Sequence, residues 1–249
     1  MKRFDWTIWI GLAVGLVTIG AGARLEGLSL GFLWNPTALL IVGGGTLGAC
    51  LVRRGASGLA SAARAVWALR HKDFEANDHK IELSKLAWLS RVAQKQGVKA
   101  FEDYADASAD PLVAQGLRFV ADHAAKEKIE QVLARRLEDE NEIGLKDAAA
   151  VEAAGGFAPT FGVLGAVIGL IAVLRVLDRP EELGSGIAAA FVATLYGIGA
   201  ANLIFFPLAS RLRERHEARM KRREEIAAVI LALRDETNPR AIINLVKAG

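Results

Sequence analysis

The chain has 249 residues, of which 52% are hydrophobic and 24% are charged, and its mean hydropathy is +0.27. These values coexist only if the apolar residues are gathered into blocks, and blocks of this kind indicate a membrane protein. The net charge of +3 is too small to argue for a nucleic-acid partner, and a single cysteine, Cys50, builds neither an intrachain disulfide nor a metal site.

Candidate membrane spans are the stretches that contain no charged side chain. A helix of about 20 residues crosses a hydrocarbon core of about 30 Å, and all but the first stretch clearly reach that length. Because backbone polar groups cannot stay unpaired in lipid, each stretch is predicted to be a helix, which makes this an all-α integral membrane protein. The four stretches are residues 6–23, 27–52, 153–174 and 183–210.

The first stretch also has features of a secretory signal. Met1-Lys2-Arg3 precedes it, and Ala21-Gly22-Ala23 resembles a cleavage site. Its apolar part is longer than the usual core of a signal peptide, and Asp5 and Trp6 suit an anchor at the membrane interface. We therefore expect this stretch to be retained as the first membrane span.

The basic residues indicate which side of the membrane is cytoplasmic. They follow the second stretch from Arg53 and the fourth from Arg211, whereas the connections at 24–26 and 178–182 carry little positive charge. The positive-inside rule predicts that both termini are cytoplasmic. The basic run after Arg211 is interleaved with glutamates, so a solvated helix beside anionic headgroups explains it better than nucleic acid does. The predicted organisation is a transmembrane hairpin at 1–52, a cytoplasmic helical domain at 53–150, a second hairpin at 151–210 and a basic tail at 211–249.

The segment between the second and third spans is predicted to be helical. Apolar residues from Ile81 to Ala93 recur near helical spacing, Gly97 is a natural stop, and Asp110 with Pro111 is a typical helix start. The sequence contains no phosphate-binding glycine loop, metalloprotease motif or nucleophile elbow, and its four histidines are scattered. We therefore expect no enzyme activity, no metal site and no cofactor.

The third and fourth spans contain small residues at four-residue spacing, such as Ala158 with Gly162 and Ala190 with Thr194. This spacing lets helix backbones approach closely in lipid, and ordinary packing is enough to explain it. Thr194 also places a hydroxyl at mid-depth, where it either serves an ion path or bonds to its own helix backbone.

Two prolines, Pro159 and Pro207, lie inside or at the ends of these spans. Proline removes a backbone hydrogen bond and tends to kink a helix. The carbonyl that is freed faces a wet cavity or is satisfied by other groups.

None of the four stretches contains Asp, Glu, Lys, Arg or His. A path for protons or sodium at membrane depth nearly always uses an ionisable group. The chain alone is therefore predicted to be a poor ion carrier, and if it conducts, a partner must supply the carboxylate.

Several short motifs, taken together and in order, are typical of one family. They are NPTALLIVGGGTLGA at 35–49, FAPTFGVLGAVIGL at 157–170, ATLYG at 193–197, FFP at 205–207 and NPR at 238–240. With four spans, they resemble the A subunits of flagellar stators, the MotA/PomA family, over essentially the whole chain.

The resemblance implies an assembly in the bacterial inner membrane. Five A subunits would surround the membrane helices of two MotB-like B subunits, each of which brings the missing aspartate. Ion passage would make the A ring rotate or change shape, so that its cytoplasmic domain pushes the rotor's switch protein.

The resemblance also implies roles for single residues. Pro159 and Pro207 match the family's two functional prolines, and Thr194 matches the threonine that faces the partner's aspartate. Sodium-driven members have a second threonine where this chain has Ala166. Because Na⁺ needs several oxygen ligands whereas a proton needs only an acceptor and a water chain, the proton is the favoured coupling ion.

The family's rotor-contact motif is a basic pair, a glycine and a Leu-Glu pair. Lys95 and Glu102 match it, but the expected arginine is Gln94, for which Arg91, one turn earlier, could substitute. These charges could also be plain surface residues, since a rim charge pair contributes little affinity.

Three other interpretations stay open at this point. An ExbB/TolQ-like energy-transducing subunit would have three spans and an N-terminus outside. A stand-alone transporter would need polar or charged groups inside the membrane. A structural scaffold would have no transport at all.

Overall fold

The computed structural model describes residues 5–71, 75–175 and 178–235. Within these ranges the chain is helical and has no β-strand, which confirms the predicted all-α class. The NPR motif at 238–240 and the N-terminal Met1-Lys2-Arg3 lie outside the described residues. The helices are α1 (Trp6–Leu25), α2 (Pro36–Leu39), α3 (Gly45–Ala68), α4 (Glu75–Gln96), α5 (Lys99–Ala107), α6 (Pro111–Ala121), α7 (Lys126–Leu174), α8 (Pro180–Ala200) and α9 (Phe206–Arg234).

Four helical segments in the described part of the chain are long and apolar enough to cross a membrane, as the sequence predicts. The last two are each 49 residues long, well beyond the about 20 residues that cross a bilayer. They are longer because polar helical sequence continues from each apolar stretch. The segments are Trp6–Leu25, Pro36–Ala68, Lys126–Leu174 and Gly186–Arg234.

The second span begins later than its apolar stretch does. Leu30–Leu33 forms a separate 3-10 turn, and the side chain of Asn35 caps the next helix by accepting a hydrogen bond from the Ala38 N–H at 3.0 Å. Pro36 occupies the first helical position, where its missing N–H has no helical partner to lose. A π-helical turn, Leu40–Gly44, then joins α2 to α3.

α3 contains a sharp break at Gly55. This residue has φ 68° and ψ 170°, a backbone conformation that side chains with a Cβ rarely adopt. The break directly follows Arg53 and Arg54, so the apolar part of α3 ends where its first basic residues occur.

The chain divides into two compact units, each of which we describe by itself. The membrane unit is Met1–Lys72 with Leu145–Arg213, and the polar unit is Asp73–Gly144 with Glu214–Gly249. The functional division at residues 53, 151 and 211 stays a prediction.

The membrane unit is packed mainly through small residues. One of its buried clusters consists of Ala38, Val42, Ala158, Val192 and Ala193, which bring α2 and its π-helical turn against α7 and α8. Small side chains let the helix axes come close together, which is the usual packing of helices in lipid.

α1 has no buried residue and is held at its start by Asp5. The Asp5 carboxylate accepts hydrogen bonds from the Thr7 N–H at 3.1 Å and the Thr7 hydroxyl at 2.6 Å, and it pairs with Arg211. The Asp5 N–H donates to the carbonyl of Arg70 at 2.7 Å. Asp5 therefore ties α1 to the segment just after α3 and to the second turn of α9.

The polar unit has a core of large apolar side chains. Leu86, Leu112, Leu117, Ile129 and Ile230 are completely buried and belong to α4, α6, α7 and α9. Burial of side chains of this size is the main favourable term in the folding of a water-exposed domain.

Two local predictions for the polar unit are confirmed. Gly97 ends α4 with φ 72°, and its N–H donates to the carbonyl of Ala93 at 2.8 Å. Asp110 caps α6, because its carboxylate accepts a hydrogen bond from the Leu112 N–H at 2.9 Å. Both features come from local chemistry that the sequence displays directly.

A nearly buried arginine links three helices of the polar unit. Arg223 of α9 donates two hydrogen bonds to the carboxylate of Glu140, at 2.9 Å and 3.1 Å, and a further one to Asp110. Its side chain is 11% exposed. A guanidinium group that donates two hydrogen bonds to one carboxylate fixes the relative orientation of the two side chains and also pairs their charges. Arg223 therefore holds the start of α6 against α7 and α9.

Candidate functional site

α7 and α8 touch through their backbones inside the membrane unit. A Cβ placed on Gly162 would lie 2.9 Å from the carbonyl oxygen of Ala193, and one on Gly169 would lie 2.8 Å from the Cβ of Ala190. These glycines therefore allow a contact that no larger residue permits. The small-residue spacing seen in the sequence corresponds to this α7–α8 contact.

Pro159 belongs to the same contact. A Cβ on Gly197 of α8 would overlap the carbonyl oxygen of Ala158 and lie 3.0 Å from the Cα of Pro159. α7 continues through Pro159, which has no N–H to donate to the carbonyl of Gly155. The contact thus combines a close backbone approach with one carbonyl that lacks its usual helical partner.

Thr194 faces α7 rather than its own helix. Its hydroxyl lies 3.5 Å from the carbonyl oxygen of Gly162, and its side chain is half-buried. A hydrogen bond of this length is weak, so the hydroxyl is free to turn toward another partner. The alternative in which Thr194 bonds to its own helix backbone is not what the structure contains.

The hydroxyl of Thr160 provides a useful contrast. It donates to the carbonyl of Phe157, in its own helix, at 2.7 Å, and Thr160 is exposed. Thr160 therefore shows the ordinary use of threonine in a membrane helix, whereas Thr194 makes a contact between helices.

Ala166 is half-buried on α7, four residues after Gly162 and hence on the same face of that helix. Its methyl group offers no oxygen to an ion. The structure thus places Pro159, Thr194 and Ala166 along one side of α7, with Pro159 and Thr194 in its contact with α8.

Pro207 lies elsewhere, near the start of α9, and is exposed. The π-helical turn Ala201–Phe205 comes just before it, and the N–H of Phe206 bonds to the carbonyl of Ala201. A π-helical turn is wider than an α-helical one, and it accommodates the proline ring next to it. The structure does not bring Pro207 to Pro159 or Thr194.

Sequence reasoning missed the hydrogen bonds of Tyr196. Its hydroxyl donates to the carbonyl of Leu33 at 2.5 Å and accepts from the N–H of Asn35 at 3.1 Å. These bonds attach the start of the second span to α8 and join two of the quoted motifs. The only sequence signal was a tyrosine and an Asn-Pro pair inside apolar stretches.

Sequence reasoning also missed a buried carboxylate in α7, just before the apolar stretch of the third span. Asp147 of α7 is 8% exposed, accepts a hydrogen bond from the Ser61 hydroxyl at 2.9 Å, and lies 3.6 Å from Arg54. It connects α7 to the two sides of the break at Gly55. Among the described residues, no three His, Cys, Asp or Glu side chains come together as a metal site requires.

The residues predicted to contact the rotor lie in the polar unit and are all exposed. Arg91 and Lys95 are one turn apart on α4, and Glu102 lies on α5, beyond the turn at Gly97. Within the described part of the chain their side chains form no hydrogen bond or ion pair. These three charges are therefore available to an external partner.

Comparison with known proteins decides the family. The model of the MotA/TolQ/ExbB proton channel family matches residues 104–225. Motility protein A of Bacillus subtilis is 31% identical over 238 residues, which cover 96% of this chain and 88% of that protein. The chain belongs to the MotA/TolQ/ExbB proton channel family.

Solved structures extend the similarity to the whole fold. In the structure of the flagellar MotAB stator complex from Bacillus subtilis, one chain is 30% identical, with a TM-score of 0.82 and coverage of 96% of this chain and 94% of that one. A chain in the structure of C. jejuni MotAB has a TM-score of 0.85 at 23% identity, with coverage of 98% and 95%.

These similarities select among the alternatives for this MotA/TolQ/ExbB family member. They extend over nearly the whole chain to a motility protein A and a MotAB stator chain, so the resemblance to MotA/PomA subunits is confirmed over the ExbB/TolQ-like alternative. Because the family is one of membrane proton channels, the prediction that the chain is not an enzyme is also confirmed.

Proposed function

We propose that this chain is the ion-conducting A subunit of a flagellar stator and that it conducts only with a MotB-like subunit, which supplies a membrane carboxylate. The observation that carries the proposal is that none of the four apolar stretches contains an ionisable side chain. A conducting path at membrane depth needs such a group. A second polypeptide therefore has to bring it.

The assembly is a homo-oligomer in the inner membrane, a pentamer around two B subunits. The similarity of this chain to chains of MotAB stator complexes supports this assembly. Both termini are cytoplasmic in this proposal, which the arginines that follow the second and fourth spans support through the positive-inside rule.

The ion path runs beside the α7–α8 contact. Thr194 presents its weakly held hydroxyl to the carboxyl group of the partner, and Pro159 leaves the nearby carbonyl of Gly155 without a helical donor. The hydroxyl both accepts and donates hydrogen bonds and so can pass a proton along a chain of water molecules, whereas the carbonyl oxygen only accepts a hydrogen bond from such a water and holds it in place. Pro207 acts separately, by setting where the π-helical turn passes into α9.

The coupling ion is the proton, and Ala166 is the residue that favours it. A sodium ion that sheds its water molecules must be bound by several protein oxygen atoms instead. A methyl group in place of a hydroxyl at this position removes one of these oxygen atoms. Motility should therefore collapse with a protonophore and survive the removal of sodium. The opposite pattern, with motility lost only in sodium-free medium, would contradict the assignment.

The exposed charges of α4 and α5 transmit torque from this chain to the rotor. Lys95, Glu102 and Arg91 have no partner within the described residues, and rim charges of this kind set association rate and specificity more than affinity. They are the proposed contact with the rotor's switch protein.

The experiment that tests the path compares two threonines. Thr194→Ala should lower torque per stator while the complex with the B subunit still assembles, because only the inter-helix hydroxyl is lost. Thr160→Ala is the matched control, since that hydroxyl bonds to its own helix. Tethered-cell rotation measures both; equal torque in the two variants would remove Thr194 from the path.

A further inference from the structure

The outward side of α4 carries a large apolar residue that the polar unit does not use. The opposite side of the helix enters the core through Leu83, Leu86 and Leu89, which are at most 4% exposed. On the outward side, Ile81 and Trp88 are 46% and 56% exposed. A tryptophan that is more than half exposed on a water-facing helix leaves a substantial apolar area uncovered.

The proposed rotor-contact charges lie on the same side of α4 as Trp88. Arg91 and Lys95 follow Trp88 by three and seven residues, which is the spacing of one helical face. Lys95 is thus two turns, or about 10 Å, along the helix from Trp88. We name the surface formed by Ile81, Trp88, Arg91 and Lys95 the α4 outer face.

The α4 outer face is basic. Both α4 carboxylates whose side chains the structure describes are directed elsewhere: Asp78 lines a polar cavity with Arg223, and Glu82 accepts a hydrogen bond from the Tyr104 hydroxyl at 3.1 Å. The α4 charges on the same face as Trp88 are therefore positive and suit an acidic partner.

We infer that Trp88 is the apolar anchor of the rotor contact, inserted between acidic side chains on the surface of the rotor protein. The inference rests on the proposed function, because it adds a residue to the same contact. Interfaces concentrate their affinity in a buried aromatic residue surrounded by polar groups. Arg91 and Lys95 supply the rim, and Trp88 supplies the central contact that those charges alone lack.

Two other occupants fit the α4 outer face less well. A helix that lies on a membrane buries a continuous apolar face, whereas this face has two large apolar side chains, Ile81 and Trp88, two turns apart. A second copy of the chain would need an acidic counterpart and a larger apolar patch. Besides Ile81 and Trp88, the large apolar side chains exposed on the described part of the polar unit are Val98 and Ile143.

The test uses the full chain with its B subunit in motile cells, with the A subunit carrying a fluorescent tag. Trp88→Ala should weaken stator recruitment about thirtyfold, the lower end of the loss when an interface anchor is truncated to alanine. Trp88→Glu should lower recruitment further, because it opposes an acidic partner, and Trp88→Phe should restore most of it. Ile143→Ala is the control, since Ile143 is 60% exposed elsewhere on the polar unit.

Assembly and conduction separate this inference from the proposed function. Trp88→Ala should co-purify with the B subunit and conduct protons as the unaltered chain does. Unchanged recruitment would overturn the inference, as would loss of oligomer or membrane association, which would assign the face to a second copy or to lipid. If the unaltered chain fails to conduct with its B subunit, the proposed function itself is wrong, whatever Trp88 does.

Discussion

The two units of this chain reach a packed state by different means. In the polar unit, leucine and isoleucine fill the core, and the largest completely buried side chains of the described residues all belong to it, among them Leu86, Leu117 and Ile230. Among the described residues of the membrane unit, the buried positions are mostly alanine or glycine, as at Ala158, Ala193 and Gly162.

The difference follows from the solvent around each unit. Water drives large apolar side chains inward, so the polar unit gains stability from the area it buries. Lipid offers no such force, so the membrane unit relies on close backbone contact and on hydrogen bonds such as those of Tyr196. Side-chain volume should therefore matter in opposite directions in the two units.

The largest expected effect is the removal of volume from the polar unit. Leu117→Ala should lower the free energy of unfolding by about 2–5 kcal/mol, because Leu117 is completely buried and its loss leaves a cavity. Proteolysis of the detergent-solubilised chain across a urea series measures this. The same truncation at Leu164, which is 47% exposed on α7, should cost far less; equal costs would remove the contrast between the units.

A smaller effect, of opposite kind, should follow the addition of volume to the membrane unit. Gly197→Ala should destabilise the detergent-solubilised chain by about 1–3 kcal/mol, because the new Cβ meets the backbone at Ala158 and Pro159. Gly199→Ala adds the same methyl group where no atom lies within 4 Å. It should be neutral or slightly stabilising. Thermal aggregation compares the two, and a stable Gly197→Ala variant would contradict the close α7–α8 contact.

The smallest effect concerns alkaline pH and the polar unit alone. Burial, together with the neighbouring charge of Glu82 and the hydrogen bond to it, raises the pKa of Tyr104 well above its usual range. The folded chain therefore keeps this proton above about pH 10, where the unfolded chain loses it, and stability falls as the pH rises there. Tyr104→Phe should cost about 1 kcal/mol at pH 7 through the lost hydrogen bond.

The same variant should reduce the decline in stability above pH 10, since phenylalanine has no proton to release. Urea unfolding at several pH values provides the measurement. A decline that is as steep in Tyr104→Phe as in the unaltered chain would assign the alkaline sensitivity to other groups.

Much of the fold could be predicted because its determinants are local. Charge-free stretches of sufficient length mark membrane helices, and the Asp110 cap and the Gly97 stop depend on residues within one turn of each other. Gly55 was not predicted as a break, because a glycine among helix-forming residues is usually tolerated. The late start at Pro36 was missed because the residues before it are equally apolar.

The site was less accessible to prediction, because its contacts join distant parts of the chain. Tyr196 bonds to residues more than 160 positions away, and no periodicity reveals that pairing. Thr194 could be singled out by its hydroxyl, but its approach to Gly162 depends on how α7 and α8 pack. Asp147 is buried by Ser61 and Arg54 of another helix, so composition gave no sign of it.

The most direct measurement is proton flux into liposomes that contain the purified chain, with and without its B subunit. We predict no flux above the lipid background for the chain alone, flux when the B subunit is present, and loss of that flux when the membrane aspartate of the B subunit is changed to asparagine. Steady proton conduction by the chain as the sole protein would contradict the claim that its uncharged helices depend on the acid of another polypeptide.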